Sequence, residues 1–268
     1  MKGSFIMALS ENVISRAIVE SYSAKLLSHL EVDAALVGGG PSALTAARIL
    51  AKRGKKVAVF ERHLAPGGGV WGGGMLFNEV VVQDDVLSIL DEIGIGYKPV
   101  KNAPGYFTVD SVELASGLTF SAIKAGAVIF NSVAVEDVVF RDGRVSGLVL
   151  NWGPVNKLGM FVDPLMVLAK CVLDGTGHPC EVVNLASRKA QVKLDTPTGG
   201  ILGEKPMWAD SGEVSTVENT REYFPGLFAS GMSANNVMGG YRMGPIFGGM
   251  IKSGVKAADL ITKALENN

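Results

Sequence analysis

The stretch Ala34–Ala43, AALVGGGPSA, limits what this 268-residue chain can fold into more than any other. Ala34–Val37 is a short apolar run that reads as a buried strand, and Ser42–Leu50 continues as a helix. Between them the pattern G-x-G-x-x-A puts Gly38, Gly40 and Ala43 in the fingerprint positions. The first permits a tight turn, the second lets a pyrophosphate approach the backbone, and a small third residue lets helix and strand pack closely. The helix N-terminus adds unpaired N–H groups and a positive dipole end. A second strand, Lys55–Phe60, ends in Glu61. That acid follows the glycines by about 20 residues, where a carboxylate binds ribose hydroxyls. A glycine-rich turn alone can be purely structural. Strand, turn, helix, second strand and terminal acid in this order predict dinucleotide binding, without saying which dinucleotide.

Composition narrows the class. The 25 Lys and Arg nearly balance 26 Asp and Glu, so no surface for nucleic acid and no acidic tail is expected. With 47% apolar residues the chain can build a sizeable core, as one large domain or two small ones. Cys171 and Cys180 are too few for a disulfide framework and favour a reducing interior. The stretch MKGSFIMALSENVISRAIVESY lacks a secretory apolar region with a small-residue cleavage site, and no apolar run reaches membrane-spanning length. A soluble, cytoplasmic protein is expected.

Along the chain, Ser10–Leu30 has helical apolar spacing, with Ser10 as N-cap, and should pack on the sheet or on another subunit. After Glu61, two glycine triplets flank Trp71; with Met75, Leu76 and Phe77 they predict an ordered loop buried against a ligand or neighbour, not a linker. Asp84–Ile93 and Ser111–Ala125 read as helices and Ala127–Phe130 as a strand. Val133–Phe140 and Arg144–Asn151 read as a hairpin around Asp142-Gly143. Trp152–Met160 reads as irregular, and Pro164 to about Leu173 as an apolar helix capped by Asp163. Glu181–Leu185 follows as a strand, and the region 186–212 as a polar, glycine-rich excursion or mobile lid. Tyr223–Ser230 ends in a strand, Gly231–Gly249 is a loop, and Met250–Leu265 is the last helix. The expected fold is one α/β, Rossmann-like domain of the two-dinucleotide-binding flavoprotein type with an inserted β-sheet. Residues 10–30 form its leading helix, 33–62 the fingerprint unit and 223–266 the closing strand, loop and helix. In such folds the loop after the third parallel strand touches adenine, which makes Val133 a backbone contact.

Candidate chemistry is sparse. His29 and His63 read as surface or packing residues. His178 follows Gly175-Thr176-Gly177, and with Asp163 it could share a divalent metal if the fold, or a second subunit, joins them. The competing readings are a helix cap for Asp163 and a loop hydrogen bond for His178. Arg242, in GGYRMGP, offers a planar fork to a small carboxylate, against an ordinary structural ion pair.

Taken together, GGGPSAL, Glu61-Arg62, PGGGVWGGGMLFNEVVV, VDP at Asp163, GTGH at His178 and GLFASGMSANNVMGGYRMGPIFGGM resemble the thiamine thiazole synthase family over nearly the whole chain. The resemblance implies synthesis of an adenylated thiazole from NAD, glycine and a sulfur source, with NAD consumed and nicotinamide lost. By position it implies that Ser42, Glu61, Arg62, Gly69 and Val133, with the glycines Gly38 and Gly40, hold the adenosine diphosphate part. Phe161, Val162 and Asp163 count among the nucleotide-contacting positions, Met232 contacts the nucleotide-derived intermediate, and Arg242 binds the glycine carboxylate. Asp163 and His178 match iron ligands given to one Fe(II) site by adjacent subunits of a homo-octamer. The chain departs from the pattern at Phe161, where fungal and plant members carry a sulfur-donating Cys and archaeal-type relatives a His. A phenyl ring neither donates sulfur nor binds iron, which leaves sulfide-dependent catalysis around an inert Phe, an altered reaction or a catalytically weakened protein. With both metal positions and Arg242 intact, the first is expected, with multiple turnover; Cys180 is a rival donor or ligand against the reading of a buried thiol. The alternatives are a flavin-dependent oxidoreductase, a sugar-bisphosphate isomerase of the kind described for archaeal-type relatives, and a nucleotide-binding protein without turnover.

Overall fold

The computed structural model describes residues 9–267, so residues 1–8 of the stretch read for a leader lie outside the described residues. Helix α1 (Glu11–Leu27) forms as its spacing predicts, with Ser10 in extended N-cap geometry but making no side-chain cap bond. Val13, Ile14, Ile18 and Val19 face solvent, whereas Tyr22 and Leu26 near its C-terminal end pack against the sheet. No helix among the described residues is long and apolar enough to cross a membrane.

The fingerprint unit follows as β1 (Glu31–Val37), α2 (Pro41–Lys52) and β2 (Val57–Glu61). The strands run parallel with Ala34 opposite Val57 and Val37 opposite Phe60. Gly38 has φ +86, and a Cβ there would lie 2.6 Å from the Gly175 carbonyl, so the turn requires glycine. Then come β3 (Glu79–Gln83), α3 (Leu87–Ile93), β4 (Lys98–Pro99) and β5 (Tyr106–Asp110). These strands make an antiparallel sheet in the order β3-β5-β4. The inserted sheet therefore sits between β2 and β6. The Asp110 carboxylate accepts from the Val112 and Glu113 amides at the start of α4 (Ser111–Ala125), and left-handed Gly126 ends it. β6 (Val128–Asn131) extends the main sheet in parallel beside β2. The hairpin of β7 (Val133–Arg141) and β8 (Arg144–Trp152) turns at Asp142 and Gly143, both with positive φ.

The next segment corrects the sequence reading. Trp152–Met160 contains a short helix, α5 (Gly153–Leu158), and the stretch expected to be helical is the ten-residue strand β9 (Leu165–Asp174). β9 is central, parallel to β1, and fully buried from Cys171 to Asp174. A strand covered on both faces reads as a continuous apolar run, and periodicity alone does not separate it from a buried helix. Asp163 is therefore not a helix cap. The capping carboxylate is Asp174, which accepts from the Val182 and Val183 amides at 2.9 and 3.0 Å. It starts α6 (Glu181–Lys189), the helix that stands where Glu181–Leu185 was expected as a strand.

Among the described residues, 186–212 adds to the sheets only β10 (Lys205–Met207) before α7 (Ala209–Asn219) begins. β11 (Arg221–Phe224) and β12 (Leu227–Ala229) follow. The expected Gly231–Gly249 loop holds α8 (Met232–Met238) and β13 (Tyr241–Arg242) before α9 (Gly248–Glu266). The main sheet runs β11-β12-β9-β1-β2-β6, with β8 antiparallel along the first half of β9. One core lies under α2, α4 and α9, the other under α6, α8 and the hairpin. Because β12, β9, β1, β2 and β6 are parallel, their carboxyl ends share one edge, where ligands bind in open α/β sheets.

Candidate functional site

A cavity of about 590 Å³ opens at that edge. Gly38, Gly40 and Ser42 line it from the fingerprint turn, Glu61 and Arg62 from the end of β2, and Val133 from the start of β7. Gly69, Gly73, Gly74 and Met75 of the glycine-triplet loop line it too. That loop is ordered, with a 3₁₀ turn at Gly68–Gly72 and the Trp71 indole donating to the Pro66 carbonyl at 2.7 Å. Its tip is not buried within this chain: Met75, Leu76 and Phe77 are exposed.

Glu61 is buried, and both of its oxygens are held. Oε2 accepts from the Gly39 amide at 2.6 Å, and Oε1 accepts from the His63 amide while pairing with His63 Nδ1, both at 2.8 Å. The carboxylate is thus fixed at the end of β2 beside the turn. His63, read as a surface or packing residue, lines the cavity, and its position two residues beyond Glu61 was the available signal. The Arg62 guanidinium pairs with Glu181 of α6, closing one side of the cavity.

A second part of the lining carries Thr176, Gly177, His178, Met232 and Arg242. Buried Asp174 shapes it: its carboxylate accepts from the Thr176 amide and hydroxyl and from the Ser233 hydroxyl, at 2.7–3.0 Å. The Gly177 amide in turn donates to Ser233 Oγ at 2.9 Å. His178 pairs through Nδ1 with Glu204 Oε2 at 2.6 Å, and the other Glu204 oxygen lies 3.8 Å from Arg242 Nε. Glu204 was missed because it lies in a polar stretch with no periodicity. The segment around it is strapped onto α8 and β13, with the amides of Leu202, Gly203 and Lys205 donating to Val237, Asn236 and Gly240.

Asp163 stands apart. With Val162 it lines a separate cavity of about 120 Å³ beside Tyr22, Phe130 and Trp152, and Phe161 is fully exposed. One chain therefore brings His178 and Arg242 together with the fingerprint but not Asp163, Phe161 or Val162. Among the described residues no group of three or more His, Cys, Asp or Glu side chains could hold a metal ion. Cys180 is fully buried outside the cavity lining. Burial, reinforced by the Asp174, Glu181 and Glu204 carboxylates, pushes its thiol up to about 12. Cys171 is likewise buried, and burial with the Glu222 carboxylate pushes its thiol up to about 12. Burial thus disfavours in both the thiolate that nucleophilic sulfur chemistry needs.

Comparison with known proteins decides the family. Residues 15–247 match the model of the Thi4 family. The chain belongs to the Thi4 family. It is 52% identical over 260 residues to the thiamine thiazole synthase of Methanothermobacter thermautotrophicus, covering 97% of this chain and all of that one. The crystal structure of Thermovibrio ammonificans THI4 superposes with a TM-score of 0.94 at 51% identity, covering 97% of this chain and 100% of that chain. A geranylgeranyl bacteriochlorophyll reductase-like protein from Thermoplasma acidophilum shares the fold alone, with a TM-score of 0.59 at 17% identity over 89% of this chain and 79% of its own. The Rossmann-like fold of this Thi4 chain is thus shared with flavoprotein oxidoreductases, as the fingerprint implied.

Proposed function

We infer that this enzyme is a thiamine thiazole synthase that builds an adenylated thiazole from NAD, glycine and sulfide at an Fe(II) site, releasing nicotinamide. The observation that carries the reading is that His178 and Arg242 line the same cavity as Gly38, Gly40 and Glu61. A nucleotide grip and a carboxylate grip in one cavity suit joining a dinucleotide to an amino acid.

The geometry of the cavity supports a role for each residue that lines it. The Gly38–Gly40 turn and the α2 N-terminus hold pyrophosphate on backbone N–H groups, and Glu61 takes the ribose hydroxyls. Arg242 takes the glycine carboxylate on its guanidinium fork. An imidazole from His178 and a carboxylate from Asp163 form a donor set suited to Fe(II). His178 also carries the carboxylate partner typical of a ligating histidine, which leaves Nε2 for the metal. Bound iron would supply a coordination point for the nitrogen and sulfur groups of the reaction. Exposed Phe161 and the two buried thiols give the chain no sulfur to surrender, which supports free sulfide as the donor.

Asp163 reaches such a site from a second copy. It sits on an exposed apolar surface with Leu158, Met160, Phe161, Leu165 and Met166, which suits burial between subunits of a homo-oligomer such as an octamer. The test is anaerobic incubation with NAD, glycine, Fe(II) and sulfide, followed by mass spectrometry. Product exceeding one per chain is expected; product capped at one per chain, with a dehydroalanine at Cys171 or Cys180, overturns the sulfide route.

A further inference from the structure

We propose that Glu204 is a positioning residue that sets the imidazole of His178 and the guanidinium of Arg242 as one unit, tying the metal position to the substrate-carboxylate position. This deepens the proposed function and rests on it.

The geometry is specific. One Glu204 oxygen meets His178 Nδ1 at 2.6 Å, and the other lies 3.8 Å from Arg242 Nε. The Glu204 side chain is only a quarter exposed, while its two partners are half exposed. Its backbone cannot drift freely, because the Gly203 and Lys205 amides on either side donate to Asn236 and Gly240 at 3.0 and 2.9 Å. β10, which begins at Lys205, also pairs with β13, the strand that carries Arg242. The Asn236 side chain donates in turn to the His178 carbonyl, anchoring the imidazole's own backbone to the same helix end. The carboxylate is the fixed member of the trio, and the imidazole and the guanidinium are oriented around it.

The chemistry follows. A neutral imidazole that donates from Nδ1 to a carboxylate has its lone pair on Nε2, so the contact selects both the tautomer and the ring orientation presented to a metal. Arg242 is approached at Nε, which leaves its terminal nitrogens for a planar carboxylate. A metal-bound group and a substrate carboxylate then meet at a spacing set by the two oxygens of one side chain. A half-exposed ion pair with no such role would contribute little to anything.

The test uses the full-length chain under anaerobic conditions. Fe(II) affinity is measured by chelator competition for wild type, Glu204→Ala, Glu204→Gln and His178→Ala, with NAD affinity and melting temperature as controls. Glu204→Ala should weaken Fe(II) binding about 10–100-fold with NAD affinity unchanged. Glu204→Gln should recover most of that loss, because its amide oxygen still accepts from Nδ1–H. If His178→Ala weakens Fe(II) binding while Glu204→Ala does not, this inference fails alone. If His178→Ala changes nothing, the metal reading fails and takes this inference with it. A second readout needs no variant: nitrogen NMR of metal-free wild type should show the neutral His178 ring protonated at Nδ1. A ring protonated at Nε2 would overturn the assignment even if Glu204→Ala failed to fold.

Discussion

One wall of the cavity, β1–α2–β2, comes from a single stretch between Glu31 and Glu61. A second wall comes from the loop after β9, the strap at Glu204 and the strand carrying Arg242. The first wall uses backbone: a glycine turn, a helix N-terminus and one fixed carboxylate. The second uses side chains held by other side chains, with buried Asp174 and Ser233 beneath and Glu204 between. A backbone site tolerates no added atoms but is indifferent to distant residues. A side-chain site tolerates bulk yet depends on every member of its network. The contrast separates a wall made by the fold's own backbone from one assembled by side chains of distant segments.

The largest effect should fall on the first wall. Gly38→Ala puts a Cβ 2.6 Å from the Gly175 carbonyl at φ +86, and should cost about 3 kcal/mol of stability with loss of nucleotide binding. Denaturant unfolding and NAD titration check both, and unchanged NAD affinity would break the comparison. On the second wall, Arg242→Ala should leave NAD affinity and stability intact while raising the glycine KM by about 10–100-fold, the size expected for a lost charged hydrogen bond. A matching loss of NAD affinity would show that the walls are not separable.

A smaller effect tests how the inserted region braces the first wall. Glu92 of α3 pairs with buried Arg48 of α2 at 2.6 Å and also with Lys52. Its carboxyl is pulled down to about 2, first by hydrogen bonds from Arg48 and Lys52. A carboxyl held below its unfolded value of 4.5 stabilises the fold above that value and loses this contribution as pH falls towards 2. Half the side chain faces water, so screening limits the contribution to about 1 kcal/mol. Glu92→Gln should flatten that part of the acid limb in unfolding curves. The smallest effect is expected at Cys180→Ser: with free sulfide as the proposed donor and the thiol buried outside the cavity lining, product per chain should not change.

The first wall was legible in the sequence because its elements are local. A strand, a glycine turn, a helix and a terminal acid imply one another within a short span, and α4 was equally clear between Asp110 and Gly126. The β9–α6 pair was read the wrong way round for a physical reason. A central strand buried on both faces loses its alternation, and Asp163-Pro164 imitates a helix start while Asp174, the real cap, lies at the end of that strand. His178 and Arg242 were picked out by residue type and glycine context, and they do share the cavity. Glu204 carried no signal, because its place between them is set by strand pairing and backbone bonds to α8, which spacing does not encode. The exposure of Asp163 and Phe161 is likewise a tertiary fact.

Under the proposed function both walls act on one molecule, and the first would grip the part of NAD that survives into product. The most direct measurement is mass spectrometry of the small molecule released from the protein as purified. An adenosine diphosphate moiety joined to a thiazole or to a glycine-derived fragment is the predicted result, and an intact flavin would contradict it.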